Sequence, residues 1–424
     1  MPLVRCQGLG RDSSAGSAVT SPTPAQPATS PDARSPLAGV RILDLTRLLP
    51  GNFATLLLAG LGADVVKVEQ IEGGDGIRHL LGSGHGGEAA AHMVLNRGKR
   101  SLSLDLKADQ GRDLLLALVA DAQVLIDSFR PGVLDRLGLS TTALLAANPK
   151  LVHVSINAFG STGPYTTRPA HDLNSSGYAG ALGLVVDSNG APTLPSLQSA
   201  DLGAGLHAAL AVLSGLRVAE KQGRDFRADV AMTDSVASML PLAVATLAGT
   251  GQPPAVPDLL TGSLACYGVY ECADRKWLTV GGLEAKFFAR MVDLMGKPEL
   301  ADQQYDIANQ EQLRQELAAA FKSRSRAEWM DLLAGEDTCV GPVLTVEEAL
   351  AEPHFLDRAT VTSAAFRDGT HVPVIRSVPW AAEGDKGLTA PKLGEHNVQV
   401  LAEAGLDPQR VADLIADGIV GGDS

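Results

Sequence analysis

The sequence predicts an α/β fold built on a parallel sheet, because aliphatic runs of strand length recur and helical stretches separate consecutive runs. A length of 424 residues exceeds what one ordinary core encloses and predicts roughly two or three domains. GVRILDL (Gly39 to Leu45) is the first buried-strand run. PGNFATLLLA then opens a helix near Pro50, where a missing amide hydrogen does no harm. ADVVKVE (Ala63 to Glu69) is the second strand. SLSLDL (Ser101 to Leu106), a helix over Gln110 to Ala120, AQVLIDS (Ala122 to Ser128), a helix over Leu134 to Ala147 and LVHVSINAF (Leu151 to Phe159) continue the alternation. Such βαβ units gather their ligands at the carboxyl ends of the strands. An Ala/Leu-rich helix over Asp201 to Gln222, a strand at ADVAM (Ala228 to Met232) and a helix from Asp234 lead into a smaller α+β segment near Pro253 to Gly341. Residues 1–36 stand apart: Ser13 to Ser35 is mostly Ser, Ala, Pro and Thr, a composition that predicts disorder.

Composition and charge narrow the function. With 35 Lys plus Arg against 48 Asp plus Glu, the net charge of −13 opposes sequence-independent attraction to nucleic acid or an anionic membrane. An anionic ligand then requires a local basic pocket. No stretch reads as a membrane span, since the best candidate, Val236 to Gly249, is short and broken by Pro241. Cys6, Cys266, Cys272 and Cys339 form no CxxC pair and no Cys/His cluster of zinc-like spacing. Neither a disulfide framework nor a metal site is expected, and a reducing cytoplasm fits. Gly82, Gly84 and Gly87 match G-x-G-x-x-G, but the run does not join a strand to a helix, and no Walker A loop or G-x-S-x-G elbow is present.

Two features carry candidate chemistry. Positive charge recurs at strand ends and loops: Lys67 in VVKVE, Arg97, Lys99 and Arg100 in LNRGKRS, and Arg130 in SFRPG. Such groups bind phosphates by charge-assisted hydrogen bonds, or they are solvated loop charges. The second feature is RPAHDLNSSGYAG, where Asp172 follows a Gly-Pro turn and precedes a helix. By spacing it is either the cap of a helix starting near Leu173 or a nucleophile.

Read together, these segments resemble the class III coenzyme A transferase (CaiB/BaiF) family, which includes formyl-CoA transferase, carnitine-CoA transferase and α-methylacyl-CoA racemase. The carriers are GVRILDLTRLLPGNFATLLLAGLGADVVKVE, NRGKRSLSLDLK, DSFRPGVLDRLGL, GPYTTRPAHDLN, DTCVGPVLTVEEAL and LGEHNVQVLAEAGL, spread over Pro36 to Val420 in fixed order. The resemblance implies a large Rossmann-like domain (37–225) that binds CoA, a small domain with linkers (226–341), a return to the large domain (342–424), and an interlocked homodimer. It also implies an enzyme that moves CoA from an acyl-CoA thioester to a carboxylic acid acceptor, with no permanently bound cofactor. Asp172 is then the nucleophile, forming an acyl-aspartyl anhydride. Asn96, Arg97, Lys99, Arg100, Lys67 and Arg130 are the expected CoA contacts. His171 is a possible auxiliary, although adjacent residues in an extended segment point apart and favour a structural hydrogen bond for it.

Two alternatives follow from the same resemblance: a racemase or epimerase, and an inactive CoA-binding homologue. Racemase members resemble one another in a histidine on the helix before the strand leading to the aspartate, and Thr141 to Ala147 has none. They share a glutamate in a later loop, where QPPAVPDLLTGS offers only Asp258. The multi-glycine loop of formyl-CoA transferase is reduced here to Thr261-Gly262-Ser263, and YGVYECADRKWLTVGGLEAKFF looks more like the racemase branch.

Overall fold

A computed structural model describes residues 35–82, 87, 89–381 and 388–422; the predicted disorder of residues 1–34, and Gly84 of the glycine run, lie outside the described residues. In chain order the large unit contains β1 (Arg41–Leu45), α1 (Leu48–Gly60), β2 (Asp64–Glu69), α2 (Ala90–Asn96), β3 (Arg100–Ser103), α3 (Asp109–Asp121) and β4 (Val124–Asp127). It continues through α4 (Val133–Arg136), α5 (Thr141–Ala147), β5 (Val152–Asn157), α6 (Asp172–Tyr178), α7 (Ser199–Gln222), β6 (Phe226–Ala231), α8 (Met232–Ala237) and α9 (Pro241–Thr250).

The six strands pair in parallel in the order β3-β2-β1-β4-β5-β6. That order reverses direction between β1 and β4, so the ligand crevice of such a sheet opens beyond Leu45 and Asp127. Alternation along each strand divides two cores. Ile42, Val65, Val124, Val152 and Val154 face α1 and α7, meeting Ala54, Leu58, Ala204, Ala208 and Val212. Leu43, Val66, Leu102 and Leu125 face the other way, toward Leu115 and Leu118 of α3 and Leu144 of α5.

The small unit has its own core. Strands β7 (Tyr267–Glu271), β8 (Trp277–Gly281) and β9 (Val340–Val343) form an antiparallel sheet in that order. It packs with α10 (Ala285–Leu294), α11 (Gln310–Phe321) and α12 (Arg326–Leu333) around Phe288, Leu313, Phe321 and Trp329. After α13 (Val346–Leu350), α14 (Pro353–Asp357) and the hairpin β10 (Val361–Ala365) with β11 (His371–Ile375), the chain returns to the large sheet. There α15 (Asn397–Glu403) and α16 (Pro408–Ala416) place Val400, Leu401, Val411 and Leu414 in the second core.

Three elements differ from expectation. Helix α1 starts at Leu48, ahead of Pro50, because Asp75 Oδ1 accepts the Leu48 amide at 3.0 Å and holds the turn before it. The single helix expected over 134–147 is two, divided at Gly138, whose φ of +75° suits glycine. Helix α7 is long and apolar enough, with a mean hydropathy of 1.5, to cross a membrane by length and composition, which the reading of Val236 to Gly249 as the best candidate missed. Its apolar residues in fact have a packing role: Ala204, Ala208 and Val212 are fully buried against the sheet and α1.

The contact between α1 and α7 is close because Gly205 has no side chain. A Cβ there would stand 2.8 Å from the Pro50 carbonyl oxygen and from the Phe53 ring. Gly205→Ala is therefore expected to cost about 1–3 kcal/mol of stability, read as a lower urea midpoint with unchanged slope. A variant as stable as the native chain would contradict this helix contact.

Candidate active site

Asp172 is delivered by a stiffened loop. Beyond β5, Phe159 packs edge to face with Tyr165 and Tyr178, which are tilted against each other, with centroids 5.1 to 5.7 Å apart. The Arg168 guanidinium lies 3.9 Å from the Tyr165 ring centre and donates to the Tyr178 hydroxyl at 2.9 Å. The chain enters α6 with the His171 amide donating to Asn174 Oδ1 at 3.1 Å, while the His171 ring is exposed.

Asp172 does cap a helix, although not its own. Its Oδ1 accepts the backbone N–H groups of Ala200 at 2.7 Å and Asp201 at 3.1 Å, two orphan donors in the first turn of α7. That contact brings a second carboxyl group beside it. Burial, then the neighbouring Asp172 charge, push the Asp201 carboxyl up to about 6, with His171 pulling the other way. The Asp201 carboxylate accepts no hydrogen bond among the described residues. Because a helix following a parallel strand starts at the strand's carboxyl end, both acids belong to the edge of the sheet where ligands bind.

Of the expected CoA contacts, Lys67, Asn96, Arg97 and Lys99 are buried, and Arg100 is half-buried in ion pairs. Lys67 and Asn96 are wholly inaccessible, and Arg97 and Lys99 nearly so. Lys67 donates to the Thr46 carbonyl at 2.9 Å and pairs with Asp75 at 3.0 Å and Asp44 at 3.9 Å. Lys99 donates to Thr55 Oγ1 at 2.7 Å, Asn96 Oδ1 at 2.8 Å and the Asn52 carbonyl at 3.1 Å, with Asp44 at 3.6 Å. Burial pushes its ammonium down to about 7. Arg97 donates to the carbonyls of Val94 and Ile375. Arg100 is paired with Asp64 at 2.5 Å and Glu403 at 2.9 Å. A phosphate could reach these groups only by displacing a carboxylate or opening the core.

Arg130 is different: it is exposed and its side chain has no hydrogen bond or ion pair among the described residues. The side chains of Arg136 and Lys107 share that condition. Arg47, just past β1, has no carboxylate partner either; its guanidinium lies 5.5 Å over the Phe129 ring. Arg47 and Arg130 follow β1 and β4 and so border the switch point, while Lys107 follows the edge strand β3 and Arg136 ends α4. Sequence reasoning passed over Arg47, Lys107 and Arg136; for Arg47, its place just after a strand was the available signal.

The family model of CoA-transferase family III matches residues 37–397. The chain belongs to that family. As a family III chain it is 33% identical to α-methylacyl-CoA racemase of Mus musculus, over 91% of this chain and 98% of that one. It is 31% identical to the succinate–glutarate CoA-transferase of Agrobacterium fabrum, over 88% and 96%. Among solved structures, a CaiB/BaiF family protein from Brucella suis superposes with a TM-score of 0.77 at 30% identity, over 87% of this chain and 99% of that one. The segments that the resemblance compared with racemases and transferases are also placed. Helix α5 carries no histidine, Asp258 Oδ1 accepts from the Leu260 amide and Thr261 hydroxyl of its own turn, and the Gly262 carbonyl accepts from Arg314.

Lys99→Ala is expected to lower thermal stability sharply, by about 3–5 kcal/mol, because Asp44 loses a buried partner. The KM for an acyl-CoA should stay within about twofold in the fraction that remains folded. A stable variant with a raised KM would return Lys99 to the ligand.

Proposed function

We propose that this chain transfers CoA from an acyl-CoA thioester to a carboxylic acid, with Asp201 as the group that forms covalent bonds and Asp172 as its partner. The observation that carries the proposal is the carboxyl pair at the start of α7, one member tied to two amides and the other without a hydrogen bond. A carboxylate whose pKa is raised is a better nucleophile once ionised, and at pH 7 most of it is ionised. Asp172 holds the amides through Oδ1 alone and keeps Oδ2 without a hydrogen bond among the described residues, so it stands as the other candidate for covalent attack.

The steps balance without an added reagent. The Asp201 carboxylate attacks the thioester carbonyl and the C–S bond breaks, giving an acyl-aspartyl anhydride and CoA thiolate. The thiolate attacks the aspartyl carbonyl, releasing the first acid and leaving an aspartyl-CoA thioester. The acceptor carboxylate attacks that thioester, and the freed thiolate then takes the new acyl group and restores Asp201. Asp172, tied to the first amides of α7, keeps a negative charge beside Asp201, and the pair tunes the attack. Arg47, Lys107, Arg130 and Arg136 supply the positive charge that CoA phosphates need in a protein of net charge −13.

Homodimer formation is part of the proposal. Leu206, Leu210 and Leu213 of α7 and Leu242, Val244 and Leu247 of α9 are all exposed, an apolar stripe that a second copy would cover. A reducing cytoplasm suits the thiols of Cys266, Cys272 and Cys339. Racemisation is the second reading, favoured by the 33% identity to the mouse racemase; exchange of the α-proton with deuterated water would reveal it.

Incubation with an acyl-CoA followed by hydroxylamine separates the readings. Transfer through Asp201 predicts a hydroxamate on the peptide holding Asp201 and loss of at least about 1,000-fold in kcat for Asp201→Ala with CoA affinity kept. A hydroxamate on Asp172 would restore the sequence-based assignment. No hydroxamate at all would favour the racemase or an inactive CoA-binding homologue.

A further inference from the structure

Asp127 ends β4 at the switch point and is buried to 1% exposure. Its Oδ2 accepts from His153 Nε2 at 2.8 Å and from the Ser155 hydroxyl at 2.8 Å, both from the neighbouring strand β5. Its Oδ1 accepts from the Phe129 amide at 3.0 Å. One residue earlier, Ser128 Oγ accepts from the Arg47 amide at 2.8 Å, and the Arg47 guanidinium covers the Phe129 ring. Hydrogen bonds therefore run without a gap from His153 through Asp127 to the segment that joins the two walls of the crevice.

The cluster is not a nucleophile relay. Ser155 and His153 Nε2 share one oxygen of Asp127 and lie 3.3 Å from each other, so no base faces the hydroxyl as a triad requires. The Phe129 ring rests against the second core, and a cavity of about 360 Å³, lined by Asp127, Phe129, Arg130, Leu134, His153 and Ser155, lies beside the segment. The carboxylate fixes the backbone of that segment through the Phe129 amide. A carboxylate holding a loop by one oxygen needs its other oxygen satisfied when buried, and His153 and Ser155 do that.

We propose that His153 and Asp127 are positioning residues for CoA binding: the imidazole orients the carboxylate, and the carboxylate sets Phe129 and, through Ser128, Arg47 at the crevice. This rests on the reading that CoA lies in the crevice between β1 and β4. It predicts an effect on the CoA side alone, since the carboxyl pair at α7 belongs to other elements.

The test is CoA affinity by calorimetry together with kinetics for both substrates, on the full chain. His153→Leu is expected to raise the CoA Kd and acyl-CoA KM about 5–10-fold, with kcat and the acceptor KM within about twofold. His153→Gln, whose amide can still donate to Asp127, should restore both to within about twofold of the native chain. Ser155→Ala removes one of the two donors, and a rise of about threefold is expected there even if the leucine variant fails to fold. Arg130→Ala, at the lining of the cavity, reports on the crevice itself and should weaken CoA about tenfold. If it does not, the crevice reading fails. If it does, but the His153 and Ser155 variants bind CoA normally, the positioning role is overturned. A leucine variant that lowers kcat and affects both substrates equally, with glutamine no better, would also overturn it.

Discussion

The buried set of charges Asp44, Lys67, Asp75 and Lys99 is the constraint on which the rest of the structure depends. It joins β1, β2, the start of α1 and the end of α2 in a volume that water does not reach. Asp75 accepts the Leu48 amide at 3.0 Å, which holds Leu48 at a φ of +59° and starts α1 where it does. Asp44 binds Thr46 and Thr55, and Asp75 binds the Asn52 side chain. Removing one partner would leave an uncompensated charge in the interior, the costly outcome for such a pair. The turn that these charges hold carries Arg47, and the helix that they orient meets α7 at Gly205. Placement of Asp201, one helical turn before Gly205, thus traces back to lysines that look like ligand contacts in the sequence.

The parallel sheet was legible because strand-length apolar runs and the segments between them obey a simple period. What the sequence hid was the facing of polar residues. Lys67 lies inside a strand whose neighbours Val66 and Val68 are both buried, and a lysine there is inward only because Asp44 and Asp75 meet it. Sequence distance conceals that meeting. LNRGKRS has the same history: Lys99 turns inward, and Arg100 crosses to Glu403, some three hundred residues later. The family resemblance was right in kind, but attaching it to a run of like charges overlooked the acids that fold beside them.

The candidate site was half visible. The Gly-Pro turn and the aspartate pointed to Asp172, and the choice between cap and nucleophile was a fair one. Asp201 was passed over because an acid in the first turn of a helix usually has a local role at the helix dipole. Only the fold brings it against Asp172, and only burial leaves it without a hydrogen-bond partner.

A direct test of this pairing is the titration of the Asp201 carboxyl, followed by carbon-13 NMR in the native chain and in Asp172→Asn. The native value should lie near 6. Neutralising Asp172 removes the facing charge and should lower it, though not to the ordinary value of about 4, because burial persists. A native value near about 4, or one that does not move when Asp172 becomes asparagine, would contradict the carboxyl pair as the centre of the site.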